Sequence, residues 1–167
     1  MNLRQLNHMP PHFLRDELQR CCGAKKWVNT LIAQHPYASE EVLHEISDKA
    51  WARCDEADFK EAFLHHPKIG DIESIKKKFA STSHWSSGEQ SGVEEADMGV
   101  LEDLAQMNDR YEAKFGFIFI VCATGKSASE MLAMVKERIN NEAHKEIHIA
   151  AEEQRKIMHI RINKLLT

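Results

Sequence analysis

His66 stands directly before Pro67 in the run His65-His66-Pro67-Lys68-Ile69-Gly70-Asp71. Proline pushes the preceding residue out of helical geometry, so His66 is expected at a helix end with its backbone turned away from the helix. The negative pole of that helix favours a protonated imidazole. A fixed histidine that carries a proton near neutral pH is suited to general acid or base work. The competing explanation is that His65 and His66 are surface residues at a helix stop.

A second candidate is the Ser- and Gly-rich stretch Ser81–Gly92, which reads as loop and contains Trp85, Ser86, Ser87, Gly88, Glu89 and Gln90. Gly88 allows a sharp backbone turn just before a carboxylate and an amide. Loops braced by a rigid scaffold often gather the polar groups that hold a substrate. A solvated loop with no further role has the same composition.

Arg161 is the third. On the last predicted helix Ile147, Ala150, Ala151, Gln154, Ile157, Met158 and Leu165 fall within one arc, and Arg161 lies in the middle of it. His148, Glu152, Lys156, His159 and Asn163 form the polar face. A guanidinium inside an apolar arc must find an anion or strong acceptors. The partner is a substrate carboxylate or Glu89; the competing explanation is a structural ion pair or a snorkelling side chain.

Two other patterns carry less. His144 and His148 lie four apart on one helix, a spacing that can bind a metal, but His-Lys-Glu-Ile-His is not the H-E-x-x-H signature. Gly125-Lys126-Ser127 ends like a phosphate-binding loop, yet Gly116 lies nine residues before Gly125, so the required spacing is absent. The four cysteines, Cys21, Cys22, Cys54 and Cys122, form no C-x-x-C pair and read as reduced thiols in a reducing compartment.

The elements that must position these residues are helical nearly throughout. Pro10 and Pro11 open one helix and Gly23 stops it. Another runs from Ala24 to Gln34, before Pro36. Ser39 and Asp55 are N-caps for the next two, the second carrying Phe59 and Phe63 and ending by Pro67. A short helix after Asp71 places Ile72, Ile75 and Phe79 on one face. Leu101, Leu104, Met107, Tyr111 and Phe115 step by three and four, and Gly116 stands where a C-capping glycine belongs. Phe117–Ala123 is apolar without helical period and reads as extended. Ser127 and Glu130 form a capping box, and a last helix runs from Glu142 to Leu166. The expectation is an all-α fold of about eight helices in a single domain over residues 1–167.

Composition bounds the rest. The chain has 167 residues, 43% hydrophobic and 29% charged, enough for a core of ordinary globular type. Twenty-two basic against 26 acidic residues give a net charge of −4, which argues against nucleic acid as partner. No apolar run approaches the roughly 20 residues that span a bilayer. Met1–Phe13 lacks the apolar core of a signal peptide, and the final Lys-Leu-Leu-Thr is not a peroxisomal address. A cytoplasmic location is expected.

Four ordered motifs then resemble one family. His66-Pro67-Lys68-Ile69-Gly70 resembles its HP-x-[LI]-G segment, and Ser86-Ser87-Gly88-Glu89-Gln90 its S-x-x-E-Q loop. Asn108–Phe117 resembles its N-x-x-Y-x-x-K-F-G-F segment. Arg138, Asn141, Glu146, Glu153, Lys156, Ile157 and Arg161 match its C-terminal helices. On these residues the chain resembles the 2-oxo-4-hydroxy-4-carboxy-5-ureidoimidazoline (OHCU) decarboxylases over nearly its whole length. One departure is conservative: many members carry a Pro-Phe-Val-type stretch where this chain has Ile118-Phe119-Ile120-Val121.

The resemblance implies an all-α homodimer that uses no metal or organic cofactor and no membrane. It implies cofactor-free decarboxylation of a small-molecule substrate in urate breakdown, giving (S)-allantoin and CO2. It assigns His66 as the catalytic acid with Glu89 as its partner, and turns Arg161 to the active site. It places Pro67, Ser86, Ser87, Gly88, Gln90 and the backbone of Phe119, Ile120, Val121, Cys122 and Ala123 against the substrate. Two other readings stay open on the residues alone: a metal-assisted hydrolase using His144 and His148, and a non-enzymatic helical interaction module in which Arg161 pairs internally.

Overall fold

The computed structural model describes residues 1–67 and 90–167; of residues 90–97 it describes the backbone only. Among the described residues there are eight helices and no strands: α1 (Leu3–Asn7), α2 (Pro11–Cys21), α3 (Lys25–Ala33), α4 (Glu40–Ala52), α5 (Glu56–Leu64), α6 (Gln90–Phe115), α7 (Ala128–Arg138) and α8 (Ala143–Leu165). The fold is all-α. The helix expected after Asp71 lies outside the described residues. Helix α1 is an element the periodicity did not signal, since five residues span little more than one turn. Its capping box explains it: the Asn2 side chain accepts from the Gln5 N–H while the Gln5 side chain accepts from the Asn2 N–H.

Local chemistry sets most helix ends. Pro11 occupies the first turn of α2, where no N–H is needed. Ser39 Oγ accepts from the Val42 N–H at the start of α4. Reciprocal boxes open α5 (Asp55 with Asp58) and α7 (Ser127 with Glu130). Gly116 adopts φ 77° just past α6, and its N–H donates to the Glu112 carbonyl. The backbone of Phe117–Ala123 is neither helix nor strand.

The chain divides into two compact units. The first comprises Met1–His66 and Ile147–Thr167. Its core holds Leu6, Leu14, Leu18, Trp27, Leu31, Leu43, Phe63, Ile147, Met158 and Ile162. The buried indoles are satisfied: Trp27 Nε1 donates to the Ser47 carbonyl, and Trp51 Nε1 to the Ala151 carbonyl. Asn7 on α1 exchanges two hydrogen bonds with the Tyr37 backbone, which follows the cis His35–Pro36 bond.

The second unit is Pro67–Glu146. Helices α6 and α7 pack together through Leu101, Leu104, Tyr111, Met131 and Val135. The Tyr111 ring meets Phe115, Phe117 and Phe119 with centroids 4.6, 5.9 and 5.2 Å away. Arg138 and Glu146 are buried among them, at 6% and 0% exposure, where an unpaired charge would be very costly. They are paired thoroughly. Arg138 Nη2 and Nε reach Glu146 Oε1 at 2.6 and 2.7 Å, the Tyr111 hydroxyl donates to the same oxygen, and Asn141 Nδ2 donates to Oε2.

Candidate functional site

His66 lies where the proline argument puts it, just past the end of α5. His65 caps that helix with φ −84° and ψ 0°, and the His66 N–H donates to the Phe63 carbonyl. The imidazole is half-buried and is held from two sides by α8. Its Nε2 meets Gln154 Oε1, and its Nδ1 lies 3.4 Å from Arg161 Nη2. The two polar residues of the α8 arc, Gln154 and Arg161, thus converge on the one histidine.

Arg161 is half-buried rather than enclosed. Its Nη1 donates to the Arg20 and Cys21 carbonyls at 3.3 and 3.2 Å. These belong to the last turn of α2, whose carbonyls have no partner within the helix and carry its negative pole. The guanidinium caps a helix on one edge and faces His66 on another. In place of the structural ion pair considered from the sequence, backbone carbonyls serve as acceptors, and the link to His66 remains. Beside Arg161 lies an open depression of about 510 Å³ whose lining includes Asp16, Arg20 and His65, a size that suits a small molecule.

Gln154 was visible in the sequence only as a polar residue inside an apolar arc. It is fully buried. Among the described residues its Nε2 has no hydrogen-bond partner, and burying an amide N–H group unpaired costs about 1–3 kcal/mol.

Gly23 was read as a helix stop, and α2 does end two residues before it, at Cys21. A further reason for glycine is spatial. A Cβ there would lie 2.0 Å from His65 Cδ2 and 2.2 Å from Cγ, so the His65 ring rests on bare backbone. That contact seats the end of α5, and with it His66, against the α2–α3 connection.

The remaining expected site residues are distributed as follows. Glu89, Ser86, Ser87, Gly88 and Trp85 lie outside the described residues. Gln90 begins α6, so the last three residues of the expected Ser81–Gly92 loop are helical. Pro67 is exposed. In Phe119–Ala123, Ile120, Val121 and Cys122 are buried. Two of its carbonyls already meet cations: Arg138 Nη1 donates to Ile120 O at 2.8 Å, and Lys126 Nζ to Cys122 O at 2.9 Å. This stretch is pinned, which is what a backbone that must offer its groups in fixed positions requires.

His144 and His148 are both exposed; His144 sits 3.5 Å from Glu142, and the edge of His148 meets Phe59. Among the described residues no group of three or more His, Cys, Asp or Glu side chains is placed to hold a metal ion. All four cysteines are free thiols. Burial pushes Cys21 up to about 11, and Cys22 and Cys54 up to about 12. They stay protonated at neutral pH and are poor nucleophiles.

This is an all-α chain in which a histidine just past the end of one helix meets an arginine on another. It belongs to the OHCU decarboxylase family, whose model matches residues 7–163. It is 36% identical to the uric acid degradation bifunctional protein TTL of Arabidopsis thaliana over 91% of this chain and 47% of that protein. It is 34% identical to the 2-oxo-4-hydroxy-4-carboxy-5-ureidoimidazoline decarboxylase of Amia calva over 60% of this chain and 57% of the relative. The chain thus spans about half the length of these curated relatives. A crystal structure of an OHCU decarboxylase, determined in the presence of (S)-allantoin, superposes with a TM-score of 0.72 and 32% identity over 90% of this chain and 97% of that one.

Proposed function

We propose that this chain decarboxylates 2-oxo-4-hydroxy-4-carboxy-5-ureidoimidazoline to (S)-allantoin and CO2, without a cofactor, as a step of urate breakdown. The observation that carries the reading is the His66–Arg161 pair, a proton carrier beside a fixed cation, in a chain of this family. Decarboxylation leaves an electron pair that needs a sink, and many enzymes use an organic cofactor for it. This substrate has its own. As the C–C bond to the carboxylate breaks, the pair moves towards the adjacent ring C=N and leaves an enol. The enol becomes a ring amide carbonyl as the neighbouring carbon, which bears the ureido group, takes a proton and becomes the stereocentre.

The protein then orients, stabilises charge and delivers that proton. Arg161 grips the carboxylate or the developing anion, and His66 supplies the proton to one face. Glu89, partner of His66, and Gln90, Ser86, Ser87 and Gly88 hold the ureido and hydroxyl groups. Pro67 and the backbone of Phe119–Ala123 complete the substrate's surroundings. The depression beside Arg161 supports this reading.

The active form is a homodimer built from one decarboxylase domain per chain, as in the resemblance that suggests it. The cytoplasm suits the four free thiols. Among the described residues no helix is long and apolar enough to cross a membrane.

The test is to generate the unstable substrate in situ and follow circular dichroism as allantoin forms. In D2O the product should carry one carbon-bound deuterium at its stereocentre and be the S enantiomer in large excess when measured promptly. Racemic product at the uncatalysed rate would refute the activity.

A further inference from the structure

Both ring nitrogens of His66 face identified groups on α8, and the chemistry of those groups decides where the ring proton sits. An arginine side chain only donates hydrogen bonds. In the neutral ring, the nitrogen facing Arg161 must therefore present its lone pair, and that nitrogen is Nδ1. The proton then belongs on Nε2, and Nε2 meets an oxygen, Gln154 Oε1. The two contacts agree on one tautomer. Turning the Gln154 amide over would set its N–H group against the Nε2–H, so the oxygen-inward orientation is the one that fits.

We propose, building on the decarboxylase reading, that Gln154 is a positioning residue: its carboxamide oxygen holds the Nε2–H of His66 and thereby makes Nδ1 the nitrogen that gives and takes the proton in the reaction. The burial of Gln154 supports this independently. It is fully buried on an arc that is apolar but for Arg161, and its own N–H group has no partner among the described residues. An apolar residue of similar size would fill the place without that penalty. Oxygen at this position is what an apolar residue lacks, and the described partner of the oxygen is His66.

The proton balance follows. The reacting form of His66 carries protons on both nitrogens. The Nδ1 proton passes to the carbon that becomes the stereocentre, after the C–C bond to the carboxylate breaks and CO2 leaves. His66 is left as the neutral Nε2–H tautomer and regains a proton from water. A proton on Nδ1 faces the fixed charge of Arg161, which disfavours it. A substrate carboxylate lying against Arg161 offsets that charge, so the acid is best formed when the substrate is in place. Throughout, the Gln154 oxygen accepts from Nε2–H and keeps the ring from rotating.

The test reads the tautomer directly, in the full chain labelled with 15N. Two-bond 15N–1H correlation spectra of the neutral His66 ring, assigned by the peaks lost in His66→Ala, should show the Nε2–H form alone. Gln154→Leu should lose that single form. Its kcat should fall about 10- to 100-fold while KM stays within about threefold, as expected when an interaction specific to the chemical step is removed. Gln154→Glu keeps an oxygen acceptor and should retain the Nε2–H form and more of the turnover than Gln154→Leu. An Nδ1–H signal in the unmodified protein would overturn the proposal. So would a Gln154→Leu protein with the same tautomer and the same kcat. Should Gln154→Leu fail to fold, the spectra of the unmodified protein and of Gln154→Glu still decide. Because the spectra need no substrate, a correct tautomer in a protein that makes no allantoin would refute the decarboxylase reading and leave the Gln154–His66 contact standing.

Discussion

Two polar clusters share the last helix, and they are built to opposite rules. Around Glu146 every charge is matched. Arg138, Tyr111 and Asn141 all donate to its two oxygens, and Arg138 also reaches the Ile120 carbonyl. Around His66 the imidazole and Arg161 are only half-buried, Arg161 leans on helix-end carbonyls, and the amide nitrogen of buried Gln154 has no partner among the described residues. The first arrangement is that of a structural brace, which works only when complete. The second tolerates a local penalty and keeps a proton carrier beside a cation, which a structure does not need for its own stability. Between these two clusters, the completeness of hydrogen bonding is what differs.

Mutations can break this contrast. His66→Ala should lose about 100- to 10,000-fold in kcat with a urea midpoint close to that of the unmodified protein. If turnover is kept, His66 is only a helix-end residue. Glu146→Ala should do the reverse. It leaves Arg138 buried without its counter-charge and should cost about 3–5 kcal/mol of stability, read as a fall in the urea midpoint at unchanged slope. Arg161→Lys keeps the charge but not the planar fork. Its kcat/KM should drop about tenfold or more, with a small stability change from the lost capping of α2. A fully active Arg161→Met would assign Arg161 to the brace class after all.

The smallest effect is expected from pH. Burial works against the charged form of Asp48, but hydrogen bonds and charge from His159 and Arg155 outweigh it and hold its carboxyl below the ordinary range. Glu152 is lowered chiefly by its hydrogen bond from Arg155. For carboxyls held lower when folded, the unfolded chain binds protons first as pH falls. Their stabilisation is therefore full above the unfolded value, near about 4, and is lost as pH drops through the folded one. Thermal unfolding should show a midpoint that falls below about pH 4, and Asp48→Asn should flatten that fall. An unchanged slope in Asp48→Asn would remove this pair from the account.

Much of this was legible in the sequence where local chemistry decides. Ser39, Asp55 and Ser127 announce helix starts because a cap needs only its own next three residues. Periodicity marked the buried faces of α6 and α8 for the same reason. His66 and Arg161 stood out as a pre-proline histidine and a cation in an apolar arc, and they do meet. What the arc could not say is which acceptors Arg161 would use, because the carbonyls of Arg20 and Cys21 are about 140 residues away along the chain. Gln154 was overlooked for a related reason. A lone glutamine in an apolar arc looks like noise until its partner, 88 residues earlier, is known. Helix α1 was missed because one turn offers too few residues for a period.

The contact between Gly23 and His65 reaches beyond the geometry of one loop. Gly23 is not among the positive-φ glycines, so the backbone alone does not forbid a side chain there. The obstacle is the neighbour's ring. Positions 23 and 65 therefore share a single volume allowance, and changes at the two should travel together. A chain of this family with alanine at the first should carry a smaller residue, or a ring swung outward, at the second. Gly23→Ala alone should cost about 1–3 kcal/mol from overpacking, and adding His65→Ala should restore most of it. For anyone redesigning this chain, the two positions are one choice, and it sits one residue away from the proposed proton donor.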